Sequence, residues 1–224
     1  NDQYFHAFTR ACTCRTDQEK KDFRATESLS EARQAERVVF QDEIMSQSNP
    51  DDVVVLDETG FNLAMTRDYA RSLSGTRAES TRPANKGKNV TLLSAMTTQG
   101  ALAFRIFDSA LTGEIFLTWL DEELVPRLRP GQIVVMDNFS VHKVAGVREK
   151  IESAGATLVY LPPYSPEFSP IELMWSWVKS WMRRFEIRNR DIIPIVLKKI
   201  LQAVDPASCA NWFRHCGWKK AQVE

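Results

Sequence analysis

QIVVMDNFSVHKVAGVREKIESAGATLVYL, residues 132–161, is the stretch from which the fold is read. It opens after the Pro130–Gly131 turn with a short apolar run, Gln132 to Asp137, the pattern of a buried strand. Lys143 to Ala154 then fits a helix stopped by Gly155. Thr157 to Leu161 (TLVYL) is a further apolar run of strand length. Strand, helix and strand in such close succession point to an α/β architecture.

Working toward the N-terminus, Thr112 to Leu124 reads as a helix, apolar at Ile115, Leu117, Trp119, Leu120 and Leu124, with Pro126 beyond its end. Asn89 to Met96 and Ala101 to Phe107 read as two strands joined across Thr98–Gln99–Gly100, a hairpin signal. Arg67 to Lys88 is rich in Arg, Ser and Thr and reads as a loop or weak hairpin. Asp52 to Asp57 (DVVVLD) is another buried-strand pattern. Ser28 with Glu31 forms a capping-box pattern that opens a helix with Ala32, Ala35, Val39 and Ile44 on its apolar side. That helix runs to about Gln47 and is stopped by Asn49–Pro50. The first 25 residues show no clean periodicity and read as an irregular arm.

Toward the C-terminus, Pro162, Pro163, Pro166 and Pro170 force a stiff, extended connection. Ile171, Met174, Val178, Trp181 and Phe185 then recur at helical spacing, an amphipathic helix. A last helix is expected over Ile195 to Val204. An antiparallel start followed by alternating strands and helices predicts a mixed five-stranded sheet with helices on both faces.

The 224 residues suit one large domain or one domain with appendages. Hydrophobic residues at 43% and charged ones at 26% exclude bulk disorder, and 9 Gly with 10 Pro exclude a linker-dominated chain. No run approaches a membrane span and the N-terminus has no signal-peptide pattern, so a soluble, non-secreted chain is expected. Lys+Arg 29 balances Asp+Glu 29, but residues 1–66 hold 7 basic and 13 acidic side chains, so the basic excess lies beyond them. Arg67 to Lys88 has six basic residues against two acidic, and Lys179 to Arg190 five against one, local fields that attract polyanions or simply face solvent. The Cys12–Cys14 and Cys209–Cys216 spacings match no zinc site, and reduced thiols are expected.

Two apolar strand patterns end in aspartate, at Asp57 and Asp137. A carboxylate there is costly to desolvate unless paired or metal-bound, and α/β sheets place ligands beyond the carboxyl ends of strands. Each alone is also a common turn or cap residue. A third acid, Glu172, sits in the first turn of the helix after the proline segment, where an acid also complements the helix dipole. Its apolar neighbours hold it against the domain body. Three such carboxylates converging would make a hard-oxygen site suited to Mg²⁺ or Mn²⁺, needing neither His nor Cys.

The segments VVLDETGF (54–61), VVMDNFSVHK (134–143) and LPPYSPEFSPIELMWSWVK (161–179) resemble, in order, the three signature blocks of DDE transposases. They are most similar to the bacterial insertion-sequence branch, the IS-six-thirty family of the mariner-like superfamily, and the 34 residues between Asp137 and Glu172 match that branch. The resemblance covers about Asp52 to Lys179. Two departures are visible: Ser169 stands where the family usually has Asn, and no complete helix-turn-helix module is legible in residues 1–50.

The resemblance implies an RNase H-like fold, with residues 1–50 an N-terminal arm and helix, 51–190 the catalytic domain and 191–224 its helical extension. It implies Asp57, Asp137 and Glu172 as the catalytic, metal-binding triad, with two Mg²⁺ or Mn²⁺ ions, and DNA cleavage at transposon ends followed by strand transfer. The implied partners are transposon-end and target DNA, held by a homodimer in the bacterial cytoplasm at the nucleoid. Asn138, His142 and Lys143 belong to the second block. His142 is either a residue that positions phosphate or metal, or a capping and packing histidine. Expected phosphate contacts are Lys86, Lys88, His142, Lys143, Lys179, Arg183 and Arg184. Trp175, Trp177 and Trp181 are placed to stack on bases, although Trp181 lies in the apolar stripe and reads as core. Strand alternation turns Glu58 away from Asp57, and Glu167 lies in the proline segment, so neither joins the site. A structure-specific nuclease without strand transfer, and a domesticated DNA-binding protein, are the alternatives. An aspartyl phosphatase would want an acid at position 59, which is Thr59.

Overall fold

The computed structural model describes residues 29–219. The five strands are β1 (Val53–Phe61), β2 (Val90–Thr97), β3 (Gly100–Phe107), β4 (Ile133–Met136) and β5 (Thr157–Tyr160). The helices are α1 (Glu31–Val39), α2 (Gly113–Trp119), α3 (Val147–Ser153), α4 (Pro170–Phe185), α5 (Ile192–Gln202) and α6 (Pro206–His215). The sheet order is β3-β2-β1-β4-β5, with β1, β2 and β3 antiparallel and β4 and β5 parallel to β1. This is the mixed five-stranded sheet that the segment pattern predicts, with the RNase H-like arrangement that the resemblance implies. Among the described residues no helix is long and apolar enough to cross a membrane.

β1 is central, and its apolar run is explained by burial on both faces. Val53 and Val55 pack in the core that α4, α5 and α6 cover, while Val54 and Leu56 pack in the opposite core with Phe116, Trp119 and Ile151. Burying each of these side chains contributes about 1.5–3 kcal/mol, so a one-residue slip that exchanges the faces would disturb both cores at once. Beyond Leu56 the alternation persists, sending Asp57 toward the α4 face and Glu58 toward the α2–α3 face.

Several boundaries differ from the sequence reading. β1 does not end at Asp57 but runs to Phe61, because β2 stays paired with it through Phe61↔Val90. The helix expected from Lys143 starts at Val147 instead. Gly146 takes a left-handed φ of 94° there, which a helix interior does not accommodate, and residues 140–143 form a separate 3₁₀ turn. α5 begins at Ile192, ahead of the expected Ile195, and α6 has no counterpart in the sequence reading; Asp205 caps it by accepting from Ser208 N–H at 2.9 Å. The 67–88 segment carries no strand.

α1 buries none of its residues, so Ala32, Ala35 and Val39 form no buried stripe. Burial moves to the following π-helical turn, where Phe40 stacks on Phe168 at 5.7 Å and meets Trp218 edge-on at 6.1 Å. Ser28, Cys12 and Cys14 lie outside the described residues. Cys209 and Cys216 are free, buried thiols, and burial pushes them up to about 11 and about 12.

Candidate active site

Register places the first two acids together. β1 and β4 pair in parallel from Val53↔Ile133 to Val55↔Val135, so Asp57 lies two residues past the last pair and Asp137 lies level with it, just beyond the end of β4. Because β4 stops at Met136 while β1 continues, the sheet opens between them. Glu172 comes from the third residue of α4, whose start is fixed by Pro170 in the first turn and by Ile171 and Met174 in the core. The proline segment that delivers it is tied down by Trp218, whose Nε1 donates to the Phe168 carbonyl at 2.9 Å. Arg37 sits over the Phe168 ring and pairs with Glu167, which explains why Glu167 stands apart from the other acids.

Asp57, Asp137 and Glu172 line one cleft of about 450 Å³, together with Arg33, Asn138 and Tyr164. Tyr164 holds a left-handed φ of 58° in the cleft wall, a conformation that costs a non-glycine residue on the order of 1 kcal/mol and often marks functional sites. Among the described residues no set of three or more His, Cys, Asp or Glu side chains is gathered closely enough to hold an ion. The three carboxylates face a common space without converging, and their like charges oppose a closer approach.

Their electrostatics differ. Burial pushes Asp57 up to about 7, helped by Glu58, Glu172 and Asp137 and opposed by Trp175, whose Nε1 donates to Oδ2 at 2.9 Å. Partial burial also raises Glu172, which Lys179 opposes and Asp137 and Glu58 reinforce. Burial pushes Asp137 the same way, but the His142 hydrogen bond, the Phe139 N–H and Lys143 outweigh it and hold the carboxyl below its ordinary value. Among the described residues no Lys or Arg makes an ion pair with Asp57 or Glu172. Three carboxylates lining one cleft are donors of the hard-oxygen kind that a divalent cation takes, although as placed the side chains do not enclose one.

His142 corrects an expectation. It is fully buried, between Phe116 at 4.9 Å and Phe139 at 5.8 Å, and so cannot touch a phosphate. Its Nδ1 lies 2.7 Å from Asp137 Oδ1 and its Nε2 lies 3.3 Å from Glu58 Oε2. The second contact falls outside hydrogen-bond geometry and holds by charge. Burial would lower the imidazole, but the two carboxylates outweigh it and push it up to about 9. Glu58, which alternation correctly aims away from Asp57, thus still joins the electrostatics of the site through a histidine that reaches across the open end of β4. A histidine five residues after a strand-end aspartate was the available signal.

The expected cations separate into groups. Arg183 and Arg184 line a second cleft with Arg67, Tyr69, Trp177 and Trp181, and the Arg184 guanidinium lies 5.2 Å from the Trp181 ring centroid. Lys86 and Lys88 are exposed on the 67–88 segment, Lys143 is exposed with its ammonium 5.3 Å from the Tyr160 ring, and Lys179 is half-buried near Glu172. Trp175 is buried and occupied by Asp57, so it does not stack on bases; Trp177 and Trp181 are half-buried against each other and the C-terminal helices.

Asp57 within β1 and Asp137 just past the end of β4, joined in one cleft by a helix-start glutamate on a β3-β2-β1-β4-β5 sheet, define the class. The chain belongs to the DDE superfamily endonucleases, whose family model matches residues 52–193. Among solved structures, it is similar to the Mos1 transposase paired-end complex with left transposon end, at a TM-score of 0.75 and 17% identity over 90% of this chain and 63% of that one. A Mos1 mariner paired-end complex with Mn gives 0.74 at 17% identity over 90% and 64%, and the isolated Mos1 catalytic domain 0.62 at 13% over 87% and 91%. The chain thus spans just under two thirds of the transposase chains in those paired-end complexes. No curated protein matches the sequence.

Proposed function

We propose that this chain is the catalytic domain of a transposase of the IS-six-thirty type, which cuts DNA phosphodiester bonds at transposon ends and joins them to target DNA. The single observation that carries the reading is that Asp57, Asp137 and Glu172 line one cleft on the fold that the Mos1 complexes share. In this reading the three carboxylates would hold two Mg²⁺ or Mn²⁺ ions, whose chemistry when bound would be activation of a water or hydroxyl and stabilisation of the leaving oxygen. Trp175 orients Asp57 by occupying Oδ2, and the first turn of α4 carries Glu172 into the same cleft.

Arg183, Arg184, Lys86, Lys88, Lys143 and Lys179 then track the phosphates of transposon-end and target duplexes, setting register without reading sequence. Trp177 and Trp181 give that track an aromatic floor. A homodimer would hold the two ends, on the bacterial nucleoid.

The test is incubation of the protein with a duplex carrying a pre-cleaved transposon end, a supercoiled target plasmid and Mn²⁺. Nicked target covalently joined to the end supports the proposal. Nicking without joining indicates a structure-specific nuclease, and binding without either indicates a DNA-binding derivative.

A further inference from the structure

Asp137 presents its two oxygens unequally. Oδ1 lies 2.7 Å from His142 Nδ1 and also accepts from the Phe139 N–H at 2.9 Å, which uses both its lone pairs. Oδ2 accepts no hydrogen bond among the described residues. The histidine that occupies Oδ1 is fixed from several sides: Phe116 and Phe139 confine its ring, and its carbonyl accepts from Tyr160 Oη at 2.8 Å. Its far nitrogen faces one group, Glu58 Oε2, at 3.3 Å. Glu58 Oε2 and His142 Nε2 are both buried and have no other partner.

We propose that Glu58 is a positioning residue: through His142 it keeps Oδ1 of Asp137 engaged, so that Asp137 offers a cation Oδ2 alone. The inference rests on the reading of Asp137 as a metal ligand. Carboxylates and histidines behind metal ligands orient them, and their loss weakens binding about 10–100-fold. With Glu58 removed, no charge faces Nε2, and only the ring packing and the Phe139 N–H still hold the His142–Oδ1 contact, so Oδ1 is freer to compete for the ion.

Two measurements on the full chain test this. The first is Mn²⁺ affinity by EPR titration, with folding checked by circular dichroism. Glu58→Ala and Glu58→Gln, which both remove the charge that faces Nε2, should each weaken binding about tenfold or more. A Glu58→Gln that binds as tightly as the parent would mean that the charge does not hold Nε2, and an unchanged Glu58→Ala would mean that Glu58 does nothing; either overturns the proposal. A parent that binds no Mn²⁺ overturns the metal reading itself. The second holds even where Glu58→Ala does not fold: anomalous scattering from a Mn²⁺-soaked crystal of the parent should place the ion on Asp137 Oδ2. An ion on Oδ1, or on both oxygens, overturns the proposal.

Discussion

Replacing Asp57 by asparagine removes a carboxylate that the folded chain holds at a cost. Burial, then Glu58 and Glu172, push it from 3.8 to about 7. Each unit is worth about 1.4 kcal/mol, so the full shift corresponds to about 4 kcal/mol, and solvent reaching the half-buried residue reduces this to roughly 2. The folded state binds the extra proton, so stability is lost as pH rises from the unfolded value through the folded one, and the cost is complete above about pH 7. The asparagine side chain carries no such cost and can still accept from Trp175. Asp57→Asn should therefore be more stable than the parent by about 2 kcal/mol at pH 8 and by under about 1 kcal/mol at pH 5. Urea unfolding in EDTA at both pH values measures this. Saturating Mn²⁺ should reverse the order, since an ion at about 100 times its Kd stabilises the parent by about 2.7 kcal/mol and the variant has lost a ligand. A metal-free Asp57→Asn no more stable than the parent at pH 8 would refute the reasoning.

His142 gives a second pH signature. Its folded value of about 9 lies above the ordinary 6.5, so its pairing stabilises fully below about pH 6.5 and is lost as pH rises through 9. Metal-free urea titrations should show that loss in the parent and not in His142→Phe. Duplex DNA affinity should fall on the order of tenfold or more between 50 and 200 mM salt, and Arg183→Ala with Arg184→Ala should flatten the log–log slope by about 1–2, read by fluorescence anisotropy.

The central part of the fold was legible because two-faced burial writes itself as apolar runs. DVVVLD, QIVVMD and TLVYL each mark a strand that the structure contains, and the stepwise Ile171–Met174–Val178 pattern marks α4. The exposed periphery was not. α1 has apolar residues at helical spacing but nothing to bury them against, and α6 hides behind a proline whose role as a helix start depends on its Asp205 cap. The cleft acids could be named from their strand and helix positions. His142 and Glu58 could not be paired from sequence, because their contact depends on β4 ending short of β1, a matter of register that only the assembled sheet defines. For the same reason Trp175, one of a tryptophan series, gave no sign that its Nε1 belongs to Asp57.

Whether Asp57, Asp137 and Glu172 act as one metal-dependent site on DNA is tested most directly by a rate. That rate is Mn²⁺-dependent nicking of duplex carrying the transposon ends by the parent, Asp57→Asn, Asp137→Asn and Glu172→Gln, with DNA affinity measured alongside. The predicted result is a loss of on the order of a hundredfold or more in each variant, with affinity unchanged or tighter because the cleft has lost negative charge. Glu172→Gln nicking as fast as the parent would contradict the three-acid site.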